Sequence, residues 1–334
     1  MSDNNFTRIG KVEAISRLFE GTPFTPFTTC CAEPSEIKNV ISASRLFQEG
    51  VDFDLVYFPL KHLGYKCVIA VTGEMYASMA HPSSLCVIMG VSAKLDFDQI
   101  GEIWSGIVAA AKEHGYSQVS LDLVPSRNGL TVSISATGLK SFLTSKRRSV
   151  ARSKDLICVS GSLGAAYMGL QVLEREKQRF DANATEQPSL ETYKMLVGSY
   201  LRPELDPGTV SALESAEIYP SYGLFITNGL SDSILRLSKQ SALGAKIYAE
   251  KIPFEGNTFQ LGKEINIDPI SAAMNGGDDC RLLFVIPILS LEKFRRDFQT
   301  FDIIGHLALP EAGTTLVTPD GVELPLKAQG WNEL

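Results

Sequence analysis

The stretch MNGGDDCRLLFVIP, residues 274–287, constrains the fold of this chain more than any other part of the sequence. Its two glycines permit a turn with positive φ angles, which residues with a Cβ atom adopt only at a steric cost. The apolar run Leu282–Ile286 follows and ends at a proline, which is the pattern of a short strand buried on both faces. Asp278 and Asp279 lie between the turn and the strand. They predict either a polar cleft at the mouth of the strand or a tight turn with two solvated acids.

The composition is that of an ordinary globular protein, and it argues against two classes of partner. The chain has 334 residues, of which 44% are hydrophobic and 21% charged, enough for two domains with sizeable cores. No apolar run approaches the roughly 18 residues of a membrane-spanning helix, and the polar N-terminus lacks the apolar core of a signal peptide. The net charge of −7 argues against nucleic acid, which favours a basic surface. We therefore expect a cytoplasmic protein.

The six cysteines show no spacing typical of a metal site, and most lie within apolar runs such as CVIAV and LICVS. We expect reduced thiols, as is usual in a cytoplasm. The adjacent Cys30 and Cys31 are compatible with a reactive pair or with a turn of small residues, and both interpretations stay open. The four histidines are scattered along the chain and predict neither a catalytic triad nor a metal site.

Alternating helix and strand patterns predict an α/β fold. The clearest helix runs from a cap at Asp96 or Asp98 to His114–Gly115, with apolar residues at helical spacing from Ile100 to Ala111. Short apolar runs predict strands at 66–71, 85–91, 118–123, 130–136, 155–160, 222–227, 245–252, 282–286 and 301–307. Further helices are expected at 190–200, 230–240 and 291–299, and TPDG at 318–321 predicts a hairpin turn.

The basic segment KRRSVARSK, residues 146–154, separates two expected domains, residues 1–143 and 151–334. Five of its nine residues are basic and none is acidic. A solvated linker has this composition, and so does a phosphate-binding segment, since arginine makes bidentate contacts with phosphate. The next strand runs into Gly161–Gly164, and a glycine turn before a helix offers N–H groups to a phosphate. Both interpretations of the segment stay open.

Several segments resemble motifs of the thiamine-monophosphate kinase family, which belongs to the superfamily of aminoimidazole ribonucleotide synthetase. Leu46–Phe53 resembles the family's LVEGVHF, Arg148–Asp155 its RSGAKPGD and Val159–Gly164 its VTGxLG. Further matching segments are ASMAHP at 77–82, LRP at 201–203, NGLSD at 228–232, NGGDDCRLLF at 275–284, IGHL at 304–307 and Gly330–Trp331. The resemblance rests on the order of these segments along nearly the whole chain.

The resemblance implies a two-domain α/β fold of the aminoimidazole ribonucleotide synthetase type, with N-terminal domains that pair their strands in a homodimer. It implies that ATP and thiamine monophosphate bind between the domains and that the γ-phosphoryl group is transferred to give thiamine diphosphate. Mg²⁺ ions held on carboxylates neutralise charge in such reactions. The apolar runs at 66–71 and 85–91 also favour a dimer, because a small domain cannot easily cover both faces of such strands.

The sequence departs from the family where the family has metal-binding acids. The resemblance expects carboxylates at five places where this chain has other residues, namely near Cys30–Cys31 and at Arg45, Met75, Phe225 and Asn228. Glu74 adjoins Met75, and Asp122 is the one expected metal ligand that keeps its place. Mg²⁺ requires hard oxygen ligands, which sulfur, aromatic and guanidinium groups do not supply. We therefore expect a degraded Mg²⁺ site.

The resemblance also assigns the remaining site residues, although it assigns no catalytic residue. The residues expected to bind nucleotide or phosphate are Arg45, Asp122, Arg148 and Thr227. Those expected at the substrate are Asp52, Asp278 and Trp331. Arg45 puts a fixed positive charge where the metal ion would lie, or else it pairs with Glu49 or Asp52.

Two functions of different classes remain open. One is a kinase of this family, weakly active or with an altered substrate. The other is a non-catalytic relative that binds a nucleotide or another phosphorylated ligand. The replaced carboxylates favour a weakly active or inactive relative. The synthetase and selenophosphate-synthase branches fit less well, since the first expects intact acidic motifs and the second a reactive cysteine near a lysine in the N-terminal segment.

Overall fold

The computed structural model of the chain describes residues 39–92, 94–182 and 190–328. Within these ranges the chain forms two compact units. The N-unit comprises residues 39–148 and 165–219, and the C-unit comprises residues 149–164 and 220–328. Each unit combines one β-sheet with helices, which confirms the expected α/β class. The division into domains 1–143 and 151–334 stays a prediction.

The four-stranded sheet of the N-unit has one face on a core. Its strands are β1 (Val40–Gln48), β2 (Ala80–Ser92), β3 (Gln118–Ser126) and β4 (Thr131–Lys140), in the order β1-β4-β2-β3. β4 pairs antiparallel with β1 and β2, and β3 pairs parallel with β2. In β4 every second residue from Val132 to Gly138 is buried, as a half-buried strand requires. The strands expected at 85–91, 118–123 and 130–136 are confirmed.

Six helices belong to the described part of the N-unit. They are α1 (Leu60–Ala77), α2 (Phe97–Glu113), α3 (Phe142–Arg147), α4 (Ala165–Ala182), α5 (Lys194–Leu201) and α6 (Thr209–Ser215). α2 begins where the sequence predicts, because Asp96 and Gln99 form a reciprocal capping box. Two hydrogen bonds of 2.5 Å to carboxylates hold α4 within this unit, one from Tyr57 to Glu174 and one from Lys177 to Asp54.

The segment Lys66–Val71 is helical, and the prediction of a strand there was wrong. It lies in the middle of α1, where 13 of 18 residues are buried. A helix that is buried all round carries no amphipathic period, so a short apolar run within it cannot be distinguished from a buried strand. Of the two apolar segments that favour a dimer when interpreted as strands, one is therefore not a strand.

Helices α1 and α2 pack backbone against backbone at two glycines. A Cβ atom at Gly106 would lie 1.9 Å from the carbonyl oxygen of Lys61, and one at Gly64 would lie 2.0 Å from that of Ile103. Since no side chain fits either gap, the missing Cβ atoms set the distance between the helices. Gly101, also on α2, has no neighbour within 4 Å.

The sheet of the C-unit has seven strands, in the order β11-β10-β7-β9-β5-β8-β6. They are β5 (Leu156–Ser160), β6 (Tyr222–Ile226), β7 (Gly244–Tyr248), β8 (Arg281–Ile286), β9 (Phe301–Ala308), β10 (Thr314–Val317) and β11 (Glu323–Pro325). The pairs β5–β8, β5–β9, β6–β8 and β7–β9 are antiparallel. Every residue of β8 after Arg281 is buried, which confirms the strand predicted from its apolar run.

Four helices accompany this sheet in the described part of the C-unit. They are α7 (Leu230–Ser241), α8 (Thr258–Ile265), α9 (Pro269–Asn275) and α10 (Leu291–Asp297). Neither α8 nor α9 is predicted from the sequence; they are short helices of eight and seven residues. Side chains of β5, β7, β8, β9 and α7 share one core, among them Ile157, Ile247, Leu283, Ile304 and Ile234. No helix among the described residues is both long enough and apolar enough to cross a membrane.

We expect Gly106→Ala to lower the free energy of unfolding by about 1–3 kcal/mol or more, because the new methyl group forces α1 and α2 apart. Gly101→Ala is the matched control on the same helix. It should raise the free energy of unfolding by up to about 1 kcal/mol, since alanine is the better helix former and meets nothing. Denaturant unfolding followed by circular dichroism measures both changes. Equal effects would show that the glycine contact does not govern this packing.

Candidate functional site

Three loops meet at one edge of the sheet in the C-unit. β5 and β6 both run antiparallel to β8, which lies between them. The residues that follow β5 and β6 therefore lie beside the residues that precede β8. We call this region the glycine edge and define it as residues 160–164, 227–229 and 274–281. It contains the Gly-Gly-Asp-Asp motif of residues 276–279.

Two glycines let the loops of the glycine edge approach each other closely. A Cβ atom at Gly229 would lie 2.6 Å from the carbonyl oxygen of Met274, and one at Gly164 would lie 2.8 Å from the amide nitrogen of Ala273. Both glycines also have positive φ angles, 89° and 75°. A side chain at either position would separate the loops.

The two adjacent acids of the motif have different structural roles. Asp279 is 4% exposed, and its Oδ2 accepts a hydrogen bond of 2.9 Å from the amide of Gly164. It therefore holds the loop after β5 against the start of β8. Asp278 is only partly buried, and its own amide donates to the carbonyl oxygen of Thr227 over 2.9 Å. The expectation that both acids are solvated turn residues is therefore wrong for Asp279.

The backbone at this point is strained. Gly277, Asp278 and Cys280 have φ angles of 83°, 61° and 52°. Left-handed conformations are uncommon for residues with a Cβ atom and cluster at functional sites. Because Asp278 and Cys280 both have this conformation, the fold tolerates an unfavourable local backbone free energy in the motif.

Arg281 covers the glycine turn after β5. Its Nε donates to the carbonyl oxygen of Ser162 over 3.3 Å, and its guanidinium carbon would lie 3.4 Å from a Cβ atom at Gly161. A guanidinium beside a glycine turn combines a fixed charge with exposed backbone, an arrangement suited to an anion. Arg281 is not among the site residues predicted from the sequence. The available signal was a lone arginine at the start of an otherwise apolar strand.

Comparisons with curated proteins agree on one family. No protein-family model matches the chain. The thiamine-monophosphate kinase of Pyrococcus horikoshii is 27% identical over 283 residues, which cover 81% of this chain and 79% of that protein. The thiamine-monophosphate kinase of Aquifex aeolicus is 23% identical over 256 residues, which cover 75% and 76%. The chain is a divergent relative of the thiamine-monophosphate kinase family.

Solved structures confirm the fold of this kinase relative. The structure of AaThiL complexed with AMPPCP and TMP matches with a TM-score of 0.75 at 21% identity, over 99% of both chains. The hydrogenase maturation protein HypE of E. coli matches with a TM-score of 0.62 at 13% identity, over 88% of this chain and 87% of its own. The chain thus has the expected fold of the aminoimidazole ribonucleotide synthetase type.

Of the site residues expected in the C-unit, the structure brings two together. Thr227 and Asp278 are joined by a backbone hydrogen bond at the glycine edge. Trp331 lies outside the described residues, as do Cys30 and Cys31. The roles that the resemblance assigns to these residues stay predictions.

Four expected site residues of the kinase relative lie on separate elements of the N-unit. Arg45 is on β1, with its guanidinium carbon 5.2 Å from the ring centroid of Phe47. Asp52 follows β1 and accepts from the amide of Gln48 over 2.8 Å. The remaining two are Asp122, which is exposed on β3, and Arg148, which follows α3.

The charges of Arg45 and Asp52 both act on the buried thiol of Cys67. Burial raises the pKa of this thiol, the charges of Lys66 and Arg45 oppose the rise, and that of Asp52 adds to it. A buried thiol with a raised pKa is an inert core residue, as the sequence analysis expected.

Two of the residues that replace family acids are part of the cores. Met75 is fully buried in α1 and Phe225 is 4% exposed in β6. Asn228 is exposed at the glycine edge. Across residues 39–92, 94–182 and 190–328, no group of three or more His, Cys, Asp or Glu side chains is placed to hold a metal ion.

A buried lysine in the N-unit was also missed. Lys66 is 2% exposed, and its Nζ lies 3.8 Å from the ring centroid of Tyr200 and 5.4 Å from that of Phe58. Such contacts stabilise a desolvated ammonium group through the ring quadrupoles. The Tyr200 hydroxyl donates to the carbonyl oxygen of Asp52 over 3.2 Å, so this cluster supports the turn that carries an expected site residue.

We expect Asp279→Ala to lower the free energy of unfolding by about 1–3 kcal/mol, because the buried amide of Gly164 loses its acceptor. Asp278→Gly should change it by less than about 0.5 kcal/mol. There, relief of left-handed strain opposes the larger entropy of the unfolded glycine chain. Denaturant unfolding of the two variants measures both changes. Similar losses in both would contradict the different roles of the two acids.

Proposed function

We propose that this kinase relative is a cytoplasmic homodimer that binds a nucleotide or another phosphorylated small molecule and transfers phosphoryl groups weakly or not at all. The burial of Met75 and Phe225 carries the proposal. Both side chains stand where the resemblance expects metal-binding carboxylates, and both contribute to packed cores instead. A carboxylate in either place would need a compensating charge or hydrogen bonds.

The chemistry of the donors supports weak transfer. Phosphoryl transfer relies on positioning and on neutralisation of charge by Mg²⁺, and Mg²⁺ prefers hard oxygen donors. Thioether and phenyl groups supply none, and the Arg45 guanidinium repels a cation. One remaining carboxylate does not compensate for the several donors that are replaced in the expected site.

Ligand binding is supported by the glycine edge. Arg281, the turn Gly161–Gly164 and the exposed Asn228 lie at one end of the sheet. The relative AaThiL is known complexed with AMPPCP and TMP, so a nucleotide or a phosphate ester is the ligand class that we infer for this chain. Cationic and backbone groups can hold such a ligand without a metal ion.

A second candidate is an active kinase with a rearranged metal site. Asp122 keeps an exposed carboxylate on β3, and Glu74 lies partly exposed beside Met75. These carboxylates, together with Asp52, are the hard donors that such a site would use. Turnover measurements decide between the two functions.

The proposed homodimer is supported by β3. This strand lies at the end of the strand order, and eight of its nine residues are exposed. Four of them are apolar: Val119, Leu121, Leu123 and Val124. A strand with exposed apolar side chains at a sheet edge is a ready template for pairing with a second copy.

We expect turnover of thiamine monophosphate with ATP and Mg²⁺ well below roughly 1 s⁻¹, the lower end of ordinary enzyme rates. The assay measures thiamine diphosphate by chromatography, and the Aquifex aeolicus kinase assayed in parallel is the control. A turnover number at or above that rate would contradict the proposal and favour the rearranged metal site.

We expect sedimentation at micromolar concentration to give a dimer for the unmodified protein and a monomer for Leu121→Lys, because a lysine on β3 opposes strand pairing between copies. Val56→Lys is the matched control, since Val56 is 70% exposed but lies outside β3. A monomeric unmodified protein, or the same effect of both substitutions, would rule out pairing through this strand.

A further inference from the structure

The C-unit has a second concave region, formed by β5, β7, β9 and α10. A cavity of about 340 Å³ is lined by Lys154, Tyr248, Lys251, Arg295 and His306, among other residues. We call these five residues the basic groove. An adjoining cavity of about 390 Å³ shares Lys251 and Arg295. The basic groove lies at the first residue of β5, whereas the glycine edge follows its last residue, so the two regions are distinct.

The basic groove gathers positive charge from three elements. Lys154 precedes β5, Lys251 follows β7, and Arg295 is on α10. Among the described residues, no ion pair involves any of the three, and Asp302 is the one carboxylate that lines either cavity. Neighbouring cations repel one another, and a bound anion reduces this electrostatic repulsion.

Lys154 holds an unusual backbone conformation. Its φ angle is 76°, a region that costs a residue with a Cβ atom free energy and is normally left to glycine. Its amide donates to the carbonyl oxygen of Leu307 over 2.7 Å, so the backbone is held in place. This chain therefore has a charged side chain in a conformation that glycine adopts more readily, and retained strain of this kind is typical of functional positions.

One wall of the groove is aromatic. His306 stacks on Tyr248 with ring centroids 5.8 Å apart, and the Nζ of Lys251 lies 4.8 Å from the Tyr248 centroid. Burial lowers the pKa of His306, and the charges of Lys246 and Lys251 lower it further. The positive potential of the groove thus reaches this ring.

From these observations we infer that the basic groove binds the phosphate groups of a small molecule that carries a diphosphate or triphosphate. A cavity of this size suits a small ligand rather than a macromolecular surface. Lysine supplies point charges and arginine a bidentate fork, and both are typical phosphate contacts. Three cations against one carboxylate match a multiply charged anion better than a single carboxylate ligand.

Calorimetric titration with inorganic tripolyphosphate in EDTA tests this inference. It is done in the Arg281→Ala background, so that binding at the glycine edge is disabled and failure of the proposed function cannot be mistaken for failure of this inference. Arg295→Ala should weaken binding at least about tenfold, the loss expected for one charge-assisted contact. Arg296→Ala is the matched control, since this exposed neighbour pairs with Asp297 and does not line the groove. It should change affinity by no more than about twofold.

Lys154→Gly gives a second, independent signature. It should change the melting temperature little, because relief of strain opposes the larger entropy of the unfolded glycine chain, and it should weaken tripolyphosphate binding at least about tenfold, because a charge is lost. A parallel titration with ATP distinguishes the source of the phosphates. Tighter binding of ATP points to a nucleotide stacked on Tyr248 and His306, and equal binding to an inorganic polyphosphate. The inference is overturned by no binding at millimolar tripolyphosphate, by equal effects of the two arginine substitutions, or by Lys154→Gly leaving the affinity unchanged.

Discussion

The hydrogen bond from the Gly164 amide to the Asp279 carboxylate is the interaction on which the C-unit site depends. It joins the loop after β5 to the start of β8, two segments that are far apart in sequence and neighbours in the sheet. A buried carboxylate is retained only where hydrogen bonds compensate for its desolvation. Here it fixes the glycine turn over which Arg281 lies. Without this contact, the glycine turn, Arg281 and the strained backbone of Asp278 would not be fixed relative to one another.

Much of the fold is predictable from the sequence, because its signals are local. The apolar run of β8 and the capping box of α2 each carry their own evidence within a few residues. Lys66–Val71 shows the limit of this reasoning. A helix that is buried on all sides has no amphipathic period, and its burial depends on Gly64 and Gly106, which let two helices approach.

The candidate site is less predictable, because it depends on strand order. Asp278 and Thr227 were expected to bind ligands, and the structure joins them at the glycine edge. Arg281 was missed since nothing in its neighbourhood along the chain shows that Gly161 packs beneath it. In the sequence, Lys154 stands out only as one charge of a basic segment. Its left-handed backbone and its place in the basic groove are tertiary features that no local pattern displays.

We propose that this relative of the thiamine-monophosphate kinases binds phosphate at the glycine edge without Mg²⁺. Calorimetric titration of ATP in EDTA and again in Mg²⁺ tests it most directly, with the unmodified protein and Arg281→Ala compared. We expect dissociation constants that agree within about twofold with and without the ion. We also expect one binding component to be weakened about tenfold by Arg281→Ala, because a charged contact is lost. Binding that requires Mg²⁺, or that is the same in both proteins, would contradict it.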